Sequence, residues 1–299
     1  MKQLSVPNID SEVMYNDIAK NKIKWDHVCS KCDIDNIHCD SCDEGNSGQM
    51  LFMKNDIFDR YKFYEDHKHD LNNIKEVNLL SDEQSDVLRT SYKNSKVFQK
   101  SREVILHNLP DKSKIRCPYC GLSMSYTLDH YFPESTYPEY ILYVPNLIPC
   151  CSHCNSVKNN NLFKNNERMF LHFYYDPIPS YQFLKAKFSV ENNIPTISFY
   201  LEFDEENEIN NMIQRHFDEL SLIEQYKESY NEILTEICNQ AIVYLRQGNT
   251  LNEFKCILSE LTELNKEKFG VNYYKNVIYD AVCNNADDLL KLIKQSYRD

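Results

Sequence analysis

Apolar positions recur at helical spacing over residues 49–66 (QMLFMKNDIFDRYKFYED) and again over 81–108, and each stretch predicts an amphipathic helix. The second opens on Ser81 with Gln84 three residues later, the pairing of a capping box, so its start is marked as well as its face. Over 117–160 the periodicity breaks into short, proline-interrupted, turn-rich text, which suits hairpins and one short helix. Strict alternation returns over 183–203 (FLKAKFSVENNIPTISFYLEF), two runs joined at Asn192 and Asn193, a hairpin signal. Long 3.6-residue periods follow over 205–247, 250–268 and 273–297 and predict a small helical bundle. The expected fold class is α+β in three parts. An N-terminal helical region with a Cys-rich loop spans 1–110, a small module spans 111–170, and a β-hairpin with a partner-binding helical bundle spans 171–299.

With 299 residues, 42% hydrophobic and 12% aromatic, the chain has material for a sizeable core. It carries no internal repeat or low-complexity tract, and five glycines leave flexible linkers scarce. No run approaches the ~18 apolar residues of a membrane span. The opening MKQLSVPNIDSEVMYNDIAK lacks the apolar centre of a signal peptide, so a reducing cytoplasm and no membrane are expected. There, twelve cysteines have a use other than disulfides, and eight of them fall into four CxxC pairs, a metal-ligand spacing. The net charge of −12 argues against a non-specific nucleic-acid coat, since such binding rests on Lys and Arg displacing counterions. The acid is uneven: −4 over 1–110, +1 over 111–170 and −9 over 171–299. If the middle segment meets a polyanion, a metal ion and local bases, or a partner protein, must offset the repulsion.

Cys117 and Cys120 bracket Pro-Tyr and Cys151 and Cys154 bracket Ser-His, two knuckles that can together give zinc a tetrahedral thiolate site. The plainer alternative is four buried free thiols. Cys150 falls outside that spacing and reads as a packed thiol, with a ligand exchange against Cys151 left open. Between the knuckles, TLDHYFPES sets Asp129 beside His130 in strand-like text, where alternation sends neighbours to opposite faces unless the strand ends or bulges. On its own such a pair is usually a surface acid beside a half-buried histidine. The second knuckle runs straight into Asn155, at the start of a short helix. Lys158 follows about a turn later, either a phosphate contact or a solvated lysine on the helix face. His153 reads as exposed. Upstream, VCSKCDIDNIHCDSCDEG places Cys29, Cys32, Cys39 and Cys42 as two further knuckles, close but feasible for a second zinc, with His27 or His38 as substitute ligands. The alternative is two reactive thiol pairs in a loop. Its acidity makes that loop a poor grip for DNA and a better docking surface for a protein.

Taken in order, the stretch 116–164 resembles the HNH endonuclease family: CxxC, Asp129 and His130 with Pro133 three residues on, Asn146 opening NLIPCC, then CxxC followed at once by Asn155 and Lys158. The likeness covers about a sixth of the chain. It implies a ββα-metal module, a hairpin followed by a helix that grips one divalent cation, with a structural zinc pinning its ends. Carried over residue by residue, it implies His130 as general base, Asp129 as a ligand of catalytic Mg2+ or Mn2+, and Asn146 as the brace of the loop holding the histidine. Asn155 then supplies a second oxygen ligand where the family often has histidine. The chemistry is coherent. A neutral imidazole can take a proton from the attacking water, hard oxygens suit magnesium, and thiolates take zinc. The expected activity is hydrolysis of DNA to 5′-phosphate and 3′-hydroxyl ends.

Residues 170–178 (FLHFYYDPI), with the hairpin and helical tail, are similar in layout to longer HNH proteins of bacterial anti-phage systems, of the Septu and retron-associated kinds. That likeness implies an ATPase partner bound by the acidic arms; His172 and its aromatic neighbours are either core or catalytic. Two further readings stay open: a non-catalytic zinc-stabilised adaptor, and a nuclease acting on RNA or tRNA.

Overall fold

The computed structural model describes residues 1–23, 46–108 and 115–296. The loop with Cys29, Cys32, Cys39 and Cys42, together with His27 and His38, lies outside the described residues, and the expected second zinc site lies there with it. The fold is α+β, mainly helical with small antiparallel sheets. By contacts the chain forms two compact units. One holds Leu4–Cys117 and Ser123–Asp176, the other Met1–Gln3, Pro118–Leu122 and Pro177–Asp299. Within the first of these the N-terminal helices pack onto the hairpin module and share its core.

In the first unit, α1 (Ser11–Ile23), α2 (Asn46–Phe52), α3 (Lys54–Asp66), α4 (Asp82–Asn94) and α5 (Lys96–Leu106) precede the hairpin. Each of the two expected helices is broken once, at Met53 and at Ser95. Ser95 takes an extended backbone that ends α4, and its hydroxyl accepts from the Phe98 N–H to begin α5, satisfying a donor that the new helix would otherwise leave open. The Ser81 capping box forms reciprocally: Gln84 N–H reaches Ser81 Oγ at 3.3 Å and Ser81 N–H reaches Gln84 Oε1 at 2.9 Å. Helix α1 was not expected, since its apolar residues are not sorted into a clear stripe, yet Met14, Tyr15, Ile18 and Ala19 are buried.

Strand β1 (Thr127–His130) pairs antiparallel with β2 (Leu147–Cys150), with His130 opposite Leu147, and α6 (Ser152–Lys158) follows directly. The short strands β3 (Phe163–Lys164) and β4 (Glu167–Arg168) make a separate ladder. Helix α5 packs on β1 and β2, and α3 and α4 pack on the connection between those strands. The core there is aromatic: Tyr64 meets Tyr140 edge-on at 5.0 Å and Phe132 at 5.3 Å, and Tyr61 stacks on Tyr143 at 4.4 Å.

The second unit pairs β5 (Leu184–Glu191) with β6 (Ile194–Leu201) across Asn192 and Asn193, at φ 53° and 63°. Two left-handed residues are what a tight two-residue hairpin demands, and asparagine tolerates them. Helices α7 (Glu208–Glu219), α8 (Leu222–Arg246), α9 (Leu251–Phe269), α10 (Tyr274–Asn284) and α11 (Ala286–Ser296) complete it, with α10 against β5 and α8 against β6. The long period over 205–247 is split by Ser221, at φ 49°. Gly270, at φ 86°, lets the chain pass Met1: a Cβ there would sit 2.3 Å from the Met1 carbonyl oxygen. No helix among the described residues is long and apolar enough to cross a membrane.

Candidate functional site

The first knuckle follows the isolated bridge between Arg116 and Met124. Cys117 N–H donates to Ser123 O at 2.8 Å, Leu122 N–H donates to Cys120 Sγ at 3.4 Å, and Gly121 takes the left-handed φ of 69° that turns the loop. The Tyr226 hydroxyl and the His216 Nε2–H donate to the carbonyls of Cys120 and Tyr119, each at 2.9 Å. The second knuckle caps α6, Cys151 Sγ accepting from Cys154 N–H at 3.5 Å. Cys117, Cys120, Cys151 and Cys154 are all buried, and their sulfurs lie within 4.8 Å of one another. Zinc with Zn–S bonds of ~2.3 Å would set tetrahedral sulfurs about 3.8 Å apart. The cluster can therefore hold a structural metal such as zinc. Cys150 stays outside it, its thiol 3.3 Å from Thr127 Oγ1 and its pKa pushed up by burial. His153 is exposed.

Strand β1 delivers Asp129 and His130, the connection to β2 ends on Asn146, and α6 presents Asn155. A cleft of about 490 Å³ brings Asp129, His130 and Asn155 together with Glu134. Because β1 ends at His130, alternation does not separate the two neighbours: both line that cleft. The opposite wall comes from α4 and α5, through Tyr92, Lys93 and Arg102, none of which the sequence reading singled out.

Asn146 is fully buried and ties the 131–146 connection to itself. Its Oδ1 accepts from Phe132 N–H at 2.8 Å and its Nδ2 donates to Phe132 O at 3.1 Å and Tyr140 O at 3.4 Å. The same connection supplies the Ile141 carbonyl, which lies 3.1 Å from His130 Nε2. A carbonyl oxygen only accepts, so Nε2 carries the ring proton and Nδ1 the lone pair. Burial holds the His130 pKa below its ordinary value, against the opposing Glu134 carboxylate, whose Oε2 is 3.9 Å from Nδ1. Tyr92 packs against the imidazole, ring centres 4.7 Å apart.

Lys158 corrects an expectation. It is fully buried, and its Nζ donates to Asp129 Oδ1 and to the His130 main-chain oxygen, both at 2.9 Å. It is neither solvated nor placed to touch a phosphate: the short α6 turns it inward onto the end of β1, and an ammonium buried there has no route to a ligand. Asp129, 3% exposed, thus shares its carboxylate with a cation of the chain itself.

Behind the connection, His172 belongs to the core. Its Nε2 lies 3.0 Å from the Tyr64 hydroxyl, which donates onward to Asn146 Oδ1 at 3.4 Å, and burial pushes its pKa down to about 3. Arg168 holds Asp176 through two bonds of 2.9 and 3.0 Å and donates to the Tyr131 hydroxyl at 2.6 Å. This network fixes the residue after His130 from behind.

No family model matches the chain, and no solved structure matches it. The chain is similar to the protein ea31 of Escherichia phage lambda, at 27% identity over 186 residues. That match takes in 58% of this chain and 62% of the phage protein, so the chain spans less than two thirds of that relative's length.

Proposed function

We propose that this chain is a metal-dependent endonuclease of the HNH type that hydrolyses DNA phosphodiester bonds in the cytoplasm, as the nuclease of an anti-phage system working with an ATPase. The observation that carries the reading is a hairpin and helix that place a neutral, tautomer-fixed imidazole in one cleft with a carboxylate and a carboxamide. His130 Nδ1 takes a proton from the attacking water as its oxygen bonds phosphorus and the P–O3′ bond breaks; the departing 3′ oxygen takes a proton from solvent, leaving 5′-phosphate and 3′-hydroxyl ends. Burial, by lowering the pKa, keeps the ring neutral near pH 7. Asn146 does not touch substrate; it holds the connection whose Ile141 carbonyl sets the tautomer. Asp129 and Asn155 offer the hard oxygens that suit Mg2+ or Mn2+ and would hold it. When bound, that ion supplies charge neutralisation at the non-bridging and leaving oxygens. The acidic stretch 171–299, at −9, favours a protein partner over direct DNA contact for the second unit.

One observation favours the zinc-stabilised adaptor: Lys158 already occupies the Asp129 carboxylate that a cation needs. Supercoiled plasmid incubated with and without Mg2+ or Mn2+ separates the readings. Cation-dependent nicks that DNA ligase reseals are expected. Intact plasmid under every condition, the ATPase included, would leave the adaptor; cleavage confined to RNA would move the substrate.

A further inference from the structure

The acidic chain carries a long cationic stretch ahead of the hairpin. Residues 87–102 hold Arg89, Lys93, Lys96, Lys100 and Arg102 and no acid, against a net charge of −12 for the whole. The fold sets this stretch over the end of α4 and most of α5, bent at Ser95, and two of its cations, Lys93 and Arg102, line the cleft that holds His130 and Asn155. Lys93 is exposed and follows Tyr92, whose ring rests on His130. Arg102 is anchored by Nη2 donating to Tyr126 O at 2.6 Å and keeps more than a quarter of its side chain exposed, at 28%. Arg89 is engaged elsewhere, with Asp86 at 2.8 Å. The acids lining the cleft are Asp129 and Glu134, and Lys158 already matches Asp129; Arg102 also pairs through Nη1 with the exposed Glu103 at 3.1 Å, while Lys93 makes no ion pair among the described residues.

We propose that Lys93 and Arg102 form a phosphate clasp that seats the backbone of a nucleic-acid strand beside the bond presented to His130. The clasp rests on the hydrolase reading above and does what buried Lys158 cannot. A guanidinium meets phosphate oxygens with its planar fork, an ammonium meets them as a point charge, and each such contact releases a condensed counterion.

Binding to a labelled DNA duplex is measured by fluorescence anisotropy in the His130→Ala protein, so that cleavage does not enter, from roughly 50 to 200 mM salt. Lys93→Gln is expected to reduce the slope of log affinity against log salt by about 0.9, and Lys93→Gln/Arg102→Gln by about 1.8, with roughly eightfold weaker binding per contact near 0.1 M salt. Lys227→Gln/Lys291→Gln makes the same charge change on exposed lysines of α8 and α11 and is expected to alter neither quantity. Thermal melts accompany each protein; if loss of the Tyr126 anchor unfolds the double variant, Lys93→Gln decides alone. Tighter binding of RNA with the same lysine dependence keeps the clasp and changes the sugar. An unchanged slope in Lys93→Gln, or no binding of either nucleic acid at the lowest salt, overturns it. Lysine-dependent binding without any plasmid nicking would instead remove the hydrolase and leave the clasp standing.

Discussion

Replacing Lys158 by methionine keeps most of the stem's volume and removes the ammonium. Two bonds of 2.9 Å are lost, and Asp129, 3% exposed, stays behind as a carboxylate without this cation. Removing one partner of a buried ion pair costs about 3–5 kcal/mol, and the His130 carbonyl loses a donor worth about 1 kcal/mol. A loss of about 4–6 kcal/mol corresponds to a melting shift of roughly 8–24 °C for a unit of this size. Asp129→Asn in the same chain removes the stranded charge, so the double variant is expected to recover about 2 kcal/mol, a coupling read from the four-protein cycle. Urea unfolding followed by far-UV circular dichroism, without divalent cations and with zinc content checked, gives all four values. Mg2+ is then expected to stabilise Lys158→Met more than the parent, because the carboxylate is no longer shared. A Lys158→Met protein within about 0.5 kcal/mol of the parent would refute the buried pair.

Asn146→Ala strands the buried Phe132 N–H and releases the connection; about 2–4 kcal/mol of stability should go, read by urea unfolding. Cys154→Ser should lose the bound zinc, measured with a chromophoric chelator, and lower the melting temperature of the hairpin module; full retention of zinc would contradict the four-thiolate site. His172 is held neutral by burial with a pKa of about 3, so between pH 6.5 and 3 the unfolded chain binds a proton that the folded one does not. Its contribution is complete above pH 6.5 and falls on acidification, and between pH 7 and 5 the parent should lose about 2 kcal/mol more than His172→Phe.

Signals confined to a few neighbouring residues could be read directly. The Ser81 and Gln84 capping box, the Asn192 and Asn193 turn and the spacing within each CxxC knuckle each specify geometry within one turn of chain. What depends on distant packing could not. Ser95 among lysines reads as one more polar position of a long helix, and only the packing of α4 and α5 on the hairpin makes it a corner. Lys158 lies on a helix of seven residues, too short for periodicity to say which face turns inward. Lys93 and Arg102 vanish in the net charge of −4 over residues 1–110, and nothing local links residues 93 and 102 to 130 and 155. The same non-locality hid the role of Tyr64, which reaches Asn146 and His172 from α3.

Nicking of supercoiled plasmid by His130→Ala beside the parent, in Mg2+ or Mn2+, tests the assigned base most directly when zinc is measured in the same samples. The expected result is a rate lowered at least about 10²-fold with zinc unchanged. Equal nicking by both proteins, or loss that follows loss of zinc, would contradict a proton transfer to the His130 imidazole.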